Sequence, residues 1–249
     1  MNVQHALNDL FIKRITAMMI FLVITIVSAA LIIGALWGTY GKLPNWLQGN
    51  LLAIAGGALM LAVVLQMLQP AVTHSGLLAT IGFTLLGAGV FTSIDYLIDE
   101  KLQSSGGGGL LAAVTLDGVP ENLALGVSLI SGNVMQVAAL AGSILLSNLP
   151  EAAGGAKQMK ESGSSNKKIL LIWTGAAVLL SVAAIAGNIL LRDVSKSTIS
   201  LIDCFAAGAV IASLATEVFP DAFKKGNHWV GISTAIGLIL ALGLDQLGG

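Results

Sequence analysis

The chain has 249 residues, of which 55% are hydrophobic and only 10% are charged, and its net charge at pH 7 is −1. Soluble globular domains carry about 25% charged residues, so this chain has too little polar surface for water and is expected to lie in a bilayer. The absence of clusters of like charge argues against a nucleic-acid partner, and the single cysteine, Cys204, excludes a disulfide framework and any CxxC motif.

Apolar runs of about 20 residues, separated by polar or Pro/Gly-rich breaks, predict an all-α polytopic membrane bundle with eight transmembrane helices. The bundle is predicted to form one domain over residues 1–249. The first run starts after Lys13 and Arg14 and continues past Ala30, which favours a retained helix over a cleaved signal peptide. Predicted helices 1 to 8 cover residues 15–40, 46–69, 76–98, 109–130, 134–156, 169–191, 199–219 and 229–247.

The distribution of lysine and arginine between the loops predicts the orientation of the bundle. With the N-terminus outside, the inner loops hold most of these basic residues, so both termini are predicted to face outside. Lys13 and Arg14 favour the opposite orientation. The inner set is Lys42, Lys101, Lys157, Lys160, Lys167, Lys168, Lys224 and Lys225, and the outer set is Lys13, Arg14, Arg192 and Lys196.

Predicted helices 2 and 7 share a short pattern that indicates an internal repeat. Residues 55–58 read AGGA and residues 206–209 read AAGA, and the same distance further on come Gln66 and Glu217. Each helix then ends near a proline. Because helices 2 and 7 of eight run in opposite directions, helices 1–3 and 6–8 would form an inverted pair around helices 4 and 5. Such 3+2+3 inverted repeats are typical of transporters.

Three predicted helices contain the pattern polar–x–apolar–proline–acid. Residues 117–121 in helix 4 read DGVPE, residues 147–151 in helix 5 read SNLPE, and residues 217–221 in helix 7 read EVFPD. The first and last positions of each stretch are four residues apart and therefore share one helical face. Proline prevents a backbone hydrogen bond to the carbonyl of the preceding turn, which leaves that carbonyl free to face a polar cavity.

Glu121 and Glu151 lie well inside their predicted spans, where an ionised carboxylate costs about 3 kcal/mol or more. No Lys, Arg or His lies at that depth in any predicted span, so these acids are expected to bind cations or to hold protons. The sequence therefore predicts a cation site in the middle of the bundle.

Simpler roles stay open for several of these residues. Asp117 could be the N-cap of a shorter helix. Ser147 and Asn148 could form ordinary hydrogen bonds between helices. Glu217 and Asp221 could reach interfacial water, and for Asp221 this is the interpretation that we favour.

With these motifs in order along the chain, the sequence resembles the ZIP (Zrt-, Irt-like) family of divalent metal transporters, as a divergent prokaryotic-type member. The resemblance covers nearly the whole chain, including the eight spans, the outward termini and the 3+2+3 order. It implies transport of Zn²⁺, Mn²⁺, Fe²⁺ or a similar ion towards the cytoplasm across a prokaryotic plasma (inner) membrane. The stretches that carry it are residues 120–128 (PENLALGVS), 148–151 (NLPE), 205–209 (FAAGA) and 217–220 (EVFP).

The resemblance also implies a metal site between predicted helices 4, 5 and 7, about halfway along the path. The metal, bound as one ion or as a binuclear pair, is the substrate, and neither an enzyme activity nor a resident cofactor is implied. The implied partners are divalent metal ions and the lipid bilayer, and small-residue helix faces would also allow a homodimer. The implied ligands are Asp117, Glu121, Ser147, Asn148, Glu151 and Glu217.

The ligand types depart from the family pattern. Asp117 stands where the family usually has histidine, and Ser147 stands where histidine or glutamine is common. Gly118 stands where a ligating asparagine is usual, and Asn122 replaces a glycine. An all-oxygen site favours harder ions such as Mn²⁺, Fe²⁺ or Mg²⁺, although zinc also accepts Asp and Glu oxygens. The histidines fall in terminal or loop segments, where they are predicted to be ordinary surface residues: His5, His74 and His228.

Two other functions fit parts of the sequence. An intramembrane aspartyl protease would need two facing aspartates, for which Asp117 and Asp245, in the stretch GLD at residues 243–245, are the candidates. A ZIP-like fold repurposed for regulation or for another solute would explain the missing histidines. Metal-dependent thermal stabilisation would separate a metal-binding protein from both.

Overall fold

The computed structural model describes residues 3–102, 107–131 and 134–248, and within these ranges the chain is helical and contains no strand. The predicted all-α class is therefore confirmed. Short π-helical segments at Val63–Leu68 and Leu214–Val218 and a 3₁₀ turn at Asn227–Trp229 connect some of the helices. The α-helices are α1 (Val3–Tyr40), α2 (Asn45–Ala62), α3 (Gln69–Ser75), α4 (Leu77–Leu102), α5 (Gly107–Ser131), α6 (Val134–Glu161), α7 (Asn166–Leu190), α8 (Lys196–Ser213), α9 (Phe219–Gly226) and α10 (Val230–Gly248).

Six helical stretches of the described chain are long and apolar enough to cross a membrane, so the protein is an integral membrane protein of the helical type. A shorter apolar stretch, Gly118–Ile130, lies in α5. The predicted helical membrane bundle is confirmed, whereas the number of eight crossings stays a prediction. The six stretches are Ile20–Tyr40, Asn45–Ser75, Leu77–Ile98, Val137–Glu161, Asn166–Leu190 and Lys196–Gln246.

Large apolar side chains cover the outside of the bundle. On α4, Leu78 is 86% exposed and Leu85 is 67% exposed, and on α10 Ile239 is 63% exposed. Water would penalise so much exposed apolar surface, whereas lipid tails have the same polarity as these side chains. The outer faces of α4 and α10 are therefore suited to contact with hydrocarbon.

Closely packed helix pairs build the interior. α1 packs against α6, α5 against α7, α4 against α8, and α2 against α10. In each of these pairs a glycine brings the backbones into contact; for example, Gly57 of α2 lies against Thr234 of α10, and Gly208 of α8 lies against Thr84 of α4. A Cβ atom at either glycine would overlap the facing carbonyl oxygen, so a larger residue would force the two helices apart.

The chain reverses after α3 and after α9 at a residue with left-handed backbone geometry. These residues are Gly76, with a φ of 82°, and Asn227, with a φ of 55°. Glycine adopts a positive φ without a steric penalty, whereas it is uncommon for other residues, and this geometry ends a helix by turning the chain away from the helix axis. α4 starts immediately after Gly76, and α10 starts after the 3₁₀ turn that begins at Asn227.

The glycine contact between α4 and α8 generates a stability prediction. We expect Gly208→Ala to lower the free energy of unfolding in detergent by about 1–3 kcal/mol, because the added methyl group overlaps the backbone of α4. Gly82→Ala on α4 is the matched control, since no atom lies within 4 Å of a Cβ built there. We expect the control to be neutral or stabilising by up to about 1 kcal/mol. Equal melting temperatures for the two variants would contradict the close crossing.

Candidate functional site

Pro120 and Pro150 lie inside continuous helices. α5 continues through Asp117 without a break, and α6 continues through the corresponding stretch SNLPE. The alternative that Asp117 is an N-cap is therefore wrong, because helical residues precede it. Each proline lacks the N–H that would bond to the carbonyl four residues earlier, so both helices have a locally weakened backbone next to their predicted ligands.

The predicted ligands on α5 and α6 are mostly buried. Glu121 of α5 is 9% exposed, and Ser147 and Asn148 of α6 are 7% and 2% exposed. Glu151, one turn further along α6, is partly buried. α5 and α6 contact each other. The bundle therefore holds a carboxylate, a hydroxyl and an amide on two contacting helices, away from the lipid-facing surface.

Hydrogen bonds orient the polar side chains of α6. The Ser147 hydroxyl donates to the backbone oxygen of Ile144 at 2.9 Å, and Asn148 Nδ2 donates to the backbone oxygen of Val27 in α1 over a longer 3.4 Å. Both bonds use hydrogens of the side chains, so the Ser147 Oγ lone pairs and the Asn148 Oδ1 atom keep acceptor capacity. This orientation is compatible with oxygen ligation of a cation.

Glu217 lies in the π-helical segment Leu214–Val218 between α8 and α9, and its side chain is partly buried. The corresponding position of predicted helix 2 is Gln66, which lies in the other π-helical segment, Val63–Leu68. Both segments are followed within two residues by a proline, Pro70 or Pro220. Wider helical turns of this kind interrupt the regular ladder of backbone bonds and recur at functional positions.

A single group of buried apolar residues, which we call the central apolar cluster, joins α1, α2, α5, α6, α8 and both π segments. Glu121 precedes a cluster member of α5 by one turn, and Asn148 follows a cluster member of α6 by one turn. Glu217 follows the last cluster member of its own helix by about one turn. The predicted ligands therefore lie beside the cluster on three elements. The cluster contains Val27, Leu59, Ala62, Val63, Met67, Ala124, Leu125, Leu140, Ile144, Ala206, Ala207, Val210 and Leu214.

The arrangement of the predicted ligands around a metal ion stays a prediction. No group of three or more His, Cys, Asp or Glu side chains suited to hold a metal occurs among the side chains that the structure describes. Asp117 lies in α5, but its side chain lies outside the described part of the structure.

Asp221 forms a salt bridge near the end of the bundle. Its Oδ2 atom accepts a hydrogen bond from Lys225 Nζ at 2.6 Å, one turn further along α9. It also lines a polar cavity of about 330 Å³ at the end of the bundle where α2 begins. The polar surroundings agree with the interpretation that Asp221 reaches the interface. The cavity is lined by Asn45, Gln48, Gly154, Lys157, Gln158, Glu161, Asp221, Lys224 and Lys225.

The polar cavity approaches the predicted site from one end. Gly154 lies at its wall, three residues after Glu151 on α6. At the same wall, Lys157 Nζ donates to the backbone oxygen of Leu43 at 3.1 Å and to Asn45 Oδ1 at 2.7 Å. The sequence alone predicts only loop or helix-end positions for the residues that line this cavity. Whether they approach one another depends on how α2, α6 and α9 pack together.

Two further polar residues escaped the sequence analysis as site residues. Asp203 lies in α8 and is partly buried, and the Oε1 atom of Gln66 is buried without a hydrogen-bond partner among the described residues. The sequence did contain a signal for Asp203, since it is an acid inside predicted helix 7.

The described histidines are surface residues, as predicted. His74 is exposed, and its Nδ1 atom lies 2.8 Å from the backbone oxygen of Pro70. His228 is exposed and makes an edge contact with the ring of Phe223. The side chain of His5 lies outside the described residues.

Comparison with known proteins adds no family assignment. A scan against models of known protein families finds no match, and a search of curated proteins finds no significant match either.

Gly118, which stands where the resembling family has a ligating asparagine, faces another helix. A Cβ atom built on Gly118 would lie 2.5 Å from Leu180 Cδ1 of α7. Leu180 is buried in an apolar group that includes Trp173. A side chain at position 118 would therefore meet α7.

This contact yields a prediction that a double-mutant cycle can test. We expect Gly118→Asn to lower the melting temperature, because the amide would overlap Leu180, and Leu180→Ala to lower it by removing buried contacts. In the double variant the asparagine would occupy the space that Leu180 leaves, so the two effects on the free energy of unfolding should couple by about 1 kcal/mol or more. Additive effects would show that position 118 does not face α7.

Proposed function

We propose that the protein transports a divalent metal cation across the membrane through an oxygen-lined site between α5, α6 and the π segment after α8. The observation that carries the proposal is the burial of Glu121 at 9% exposure, with Ser147 and Asn148 buried on the contacting helix, inside an apolar membrane bundle. Acidic residues within membrane bundles are costly and characteristically mark ion pathways. A carboxylate, a hydroxyl and an amide oxygen can all coordinate a hard divalent cation, so such a cation is the substrate that these side chains fit.

The donor set favours a hard divalent ion. Asp117, Glu121, Ser147, Asn148, Glu151 and Glu217 supply oxygen atoms and no imidazole or thiolate. Mn²⁺, Fe²⁺ and Mg²⁺ suit such ligands best, and Zn²⁺ also accepts carboxylate oxygens. One ion or two bridged by shared carboxylates would fit the six side chains, and the family resemblance favours movement towards the cytoplasm of a prokaryotic cell.

The proposed topology is eight spans in a 3+2+3 inverted repeat, with both termini outside. Length supports eight crossings, because the stretch Lys196–Gln246 has 51 residues and contains α8 to α10. About 20 residues suffice for one crossing. α5, with 25 residues, is also long enough for a crossing of its own.

Corresponding contacts support the inverted repeat. Gly57 meets Thr234 on the α2–α10 side, and Gly208 meets Thr84 on the α8–α4 side, at equivalent positions of the two proposed halves. The two π segments and the two left-handed reversals before α4 and α10 also correspond in sequence order. A pair of halves with opposite orientation offers two states of similar packing, one open to each side of the membrane. This is the property that a transporter needs.

The proposal predicts that removal of the charge of either glutamate stops transport. In vesicles that contain the purified protein, we expect Glu121→Gln and Glu151→Gln to lower the initial rate of Mn²⁺ uptake at least tenfold, equivalent to about 1.4 kcal/mol. Glutamine keeps the volume of glutamate and loses its charge. Asp193→Asn, at an exposed acid between α7 and α8, is the control and should transport at the rate of the wild type. Unimpaired uptake by both glutamine variants, in properly inserted protein, would exclude this site.

A further inference from the structure

The central apolar cluster follows one face of each helix that contributes to it. On α8 its members are Ala206, Ala207 and Val210, and the π segment adds Leu214. These positions are three, four, seven and eight residues apart, which is the spacing of a single helical stripe. Asp203 lies three residues before the first of them, so it continues the same stripe towards the start of α8.

The central apolar cluster continues from α2 into the π segment that follows it. Leu59 and Ala62 of α2 and Val63 and Met67 of the π segment belong to the cluster, so Gln66 lies next to its last member on this helix. The Gln66 Oε1 atom is buried and has no hydrogen-bond partner among the described residues. A buried amide oxygen left unsatisfied costs about 1–3 kcal/mol, so the Gln66 Oε1 atom is an acceptor suited to a water molecule or a cation.

Two contacts fix how the α2–α3 stretch lies against α8. The Ser75 hydroxyl donates to the backbone oxygen of Ser197 at 3.1 Å, and a Cβ on Gly56 would meet the ring of Phe219. Residues near the end of α3 therefore lie beside the start of α8, and residues of α2 lie beside the start of α9. The two stretches run antiparallel.

Interpolation between these two contacts places Gln66 and Asp203 within about one helical turn of each other along the helix axes. Both residues are on faces that border the central apolar cluster. Glu217, in the π segment that follows α8, lies about 20 Å further along the helix than Asp203. Glu217 therefore lies beyond one end of the cluster and Asp203 lies beyond the other end, and Gln66 borders the cluster at the end near Asp203.

We propose that Asp203 and Gln66 form a second binding level for the divalent cation, on the opposite side of the central apolar cluster from the predicted site at Glu121. This inference rests on the transport function proposed above. Asp203 supplies the charge and the Gln66 amide oxygen supplies a neutral ligand, and water completes the coordination, as is usual for Mn²⁺ or Mg²⁺ in weak sites. A weak site suits an ion in transit, because it must also release the ion.

Binding measurements on the purified full chain test this second level directly. In the double variant E121Q/E151Q, which weakens the first site, we expect Mn²⁺ titrated by calorimetry to retain a weaker binding event. Adding Asp203→Asn should abolish that event, and Asp203→Glu should restore it because the carboxylate returns. Adding Asp193→Asn instead should leave it unchanged, since Asp193 is exposed in the turn before α8. Residual binding that Asp203→Asn does not alter would overturn the proposal.

Transport kinetics provide a second readout. In otherwise unaltered protein, Asp203→Asn and Gln66→Met should each raise the KM for Mn²⁺ about fivefold to tenfold and change kcat less than twofold, because they weaken capture of the ion. Gln246→Met, an exposed glutamine near the end of α10, is the control for Gln66→Met. If both variants keep the KM of their controls while E121Q/E151Q has lost transport, only the second level is disproved. If E121Q/E151Q still transports, the proposed function itself fails.

Discussion

A carboxylate in the interior of an apolar membrane bundle is the constraint on which the rest of the structure depends. Glu121 is 9% exposed in α5, and such a group cannot stay ionised at low cost unless polar or cationic groups compensate it. Neighbouring residues supply polar groups near Glu121. Ser147 and Asn148 turn their hydrogens towards backbone carbonyls and keep oxygen acceptors, and Pro120 and Pro150 free backbone carbonyls within their helices. A divalent cation completes this arrangement in the proposed function.

The central apolar cluster is the second feature of the bundle that bears on the proposed transport. It joins helices from both proposed halves, and its apolar side chains interrupt the row of polar residues along the helices. Backbone contacts at Gly57 and Gly208 hold α2 to α10 and α8 to α4 as tightly packed pairs. Tightly packed pairs tend to move as units, and movement of one pair against the other would open the cluster on one side at a time.

The sequence predicted the fold class and most of the helical stretches because hydrophobic length and Pro/Gly breaks are local signals. The predicted ends near Pro70 and Pro220 were wrong, since helix continues to Ser75 and to Gly226. It also predicted the elements of the site, because an acid beside a proline in an apolar run is conspicuous. The π segments at Gln66 and Glu217 were not predictable, since a wider turn has no distinct sequence pattern. The contact of Gly118 with Leu180 and the position of Asp203 beside the cluster depend on helix packing, which residues distant in the sequence determine together.

The most direct measurement is an experimental structure of the protein with Mn²⁺ bound, in which the ion is located by its anomalous scattering. We expect a peak between α5 and α6 that is ligated by oxygens of Glu121 and Glu151, with Asp117 or Glu217 close by. A map without such a peak, with the two glutamates directed away from each other or each paired with a basic side chain, would contradict the claim that the buried acids form a cation site.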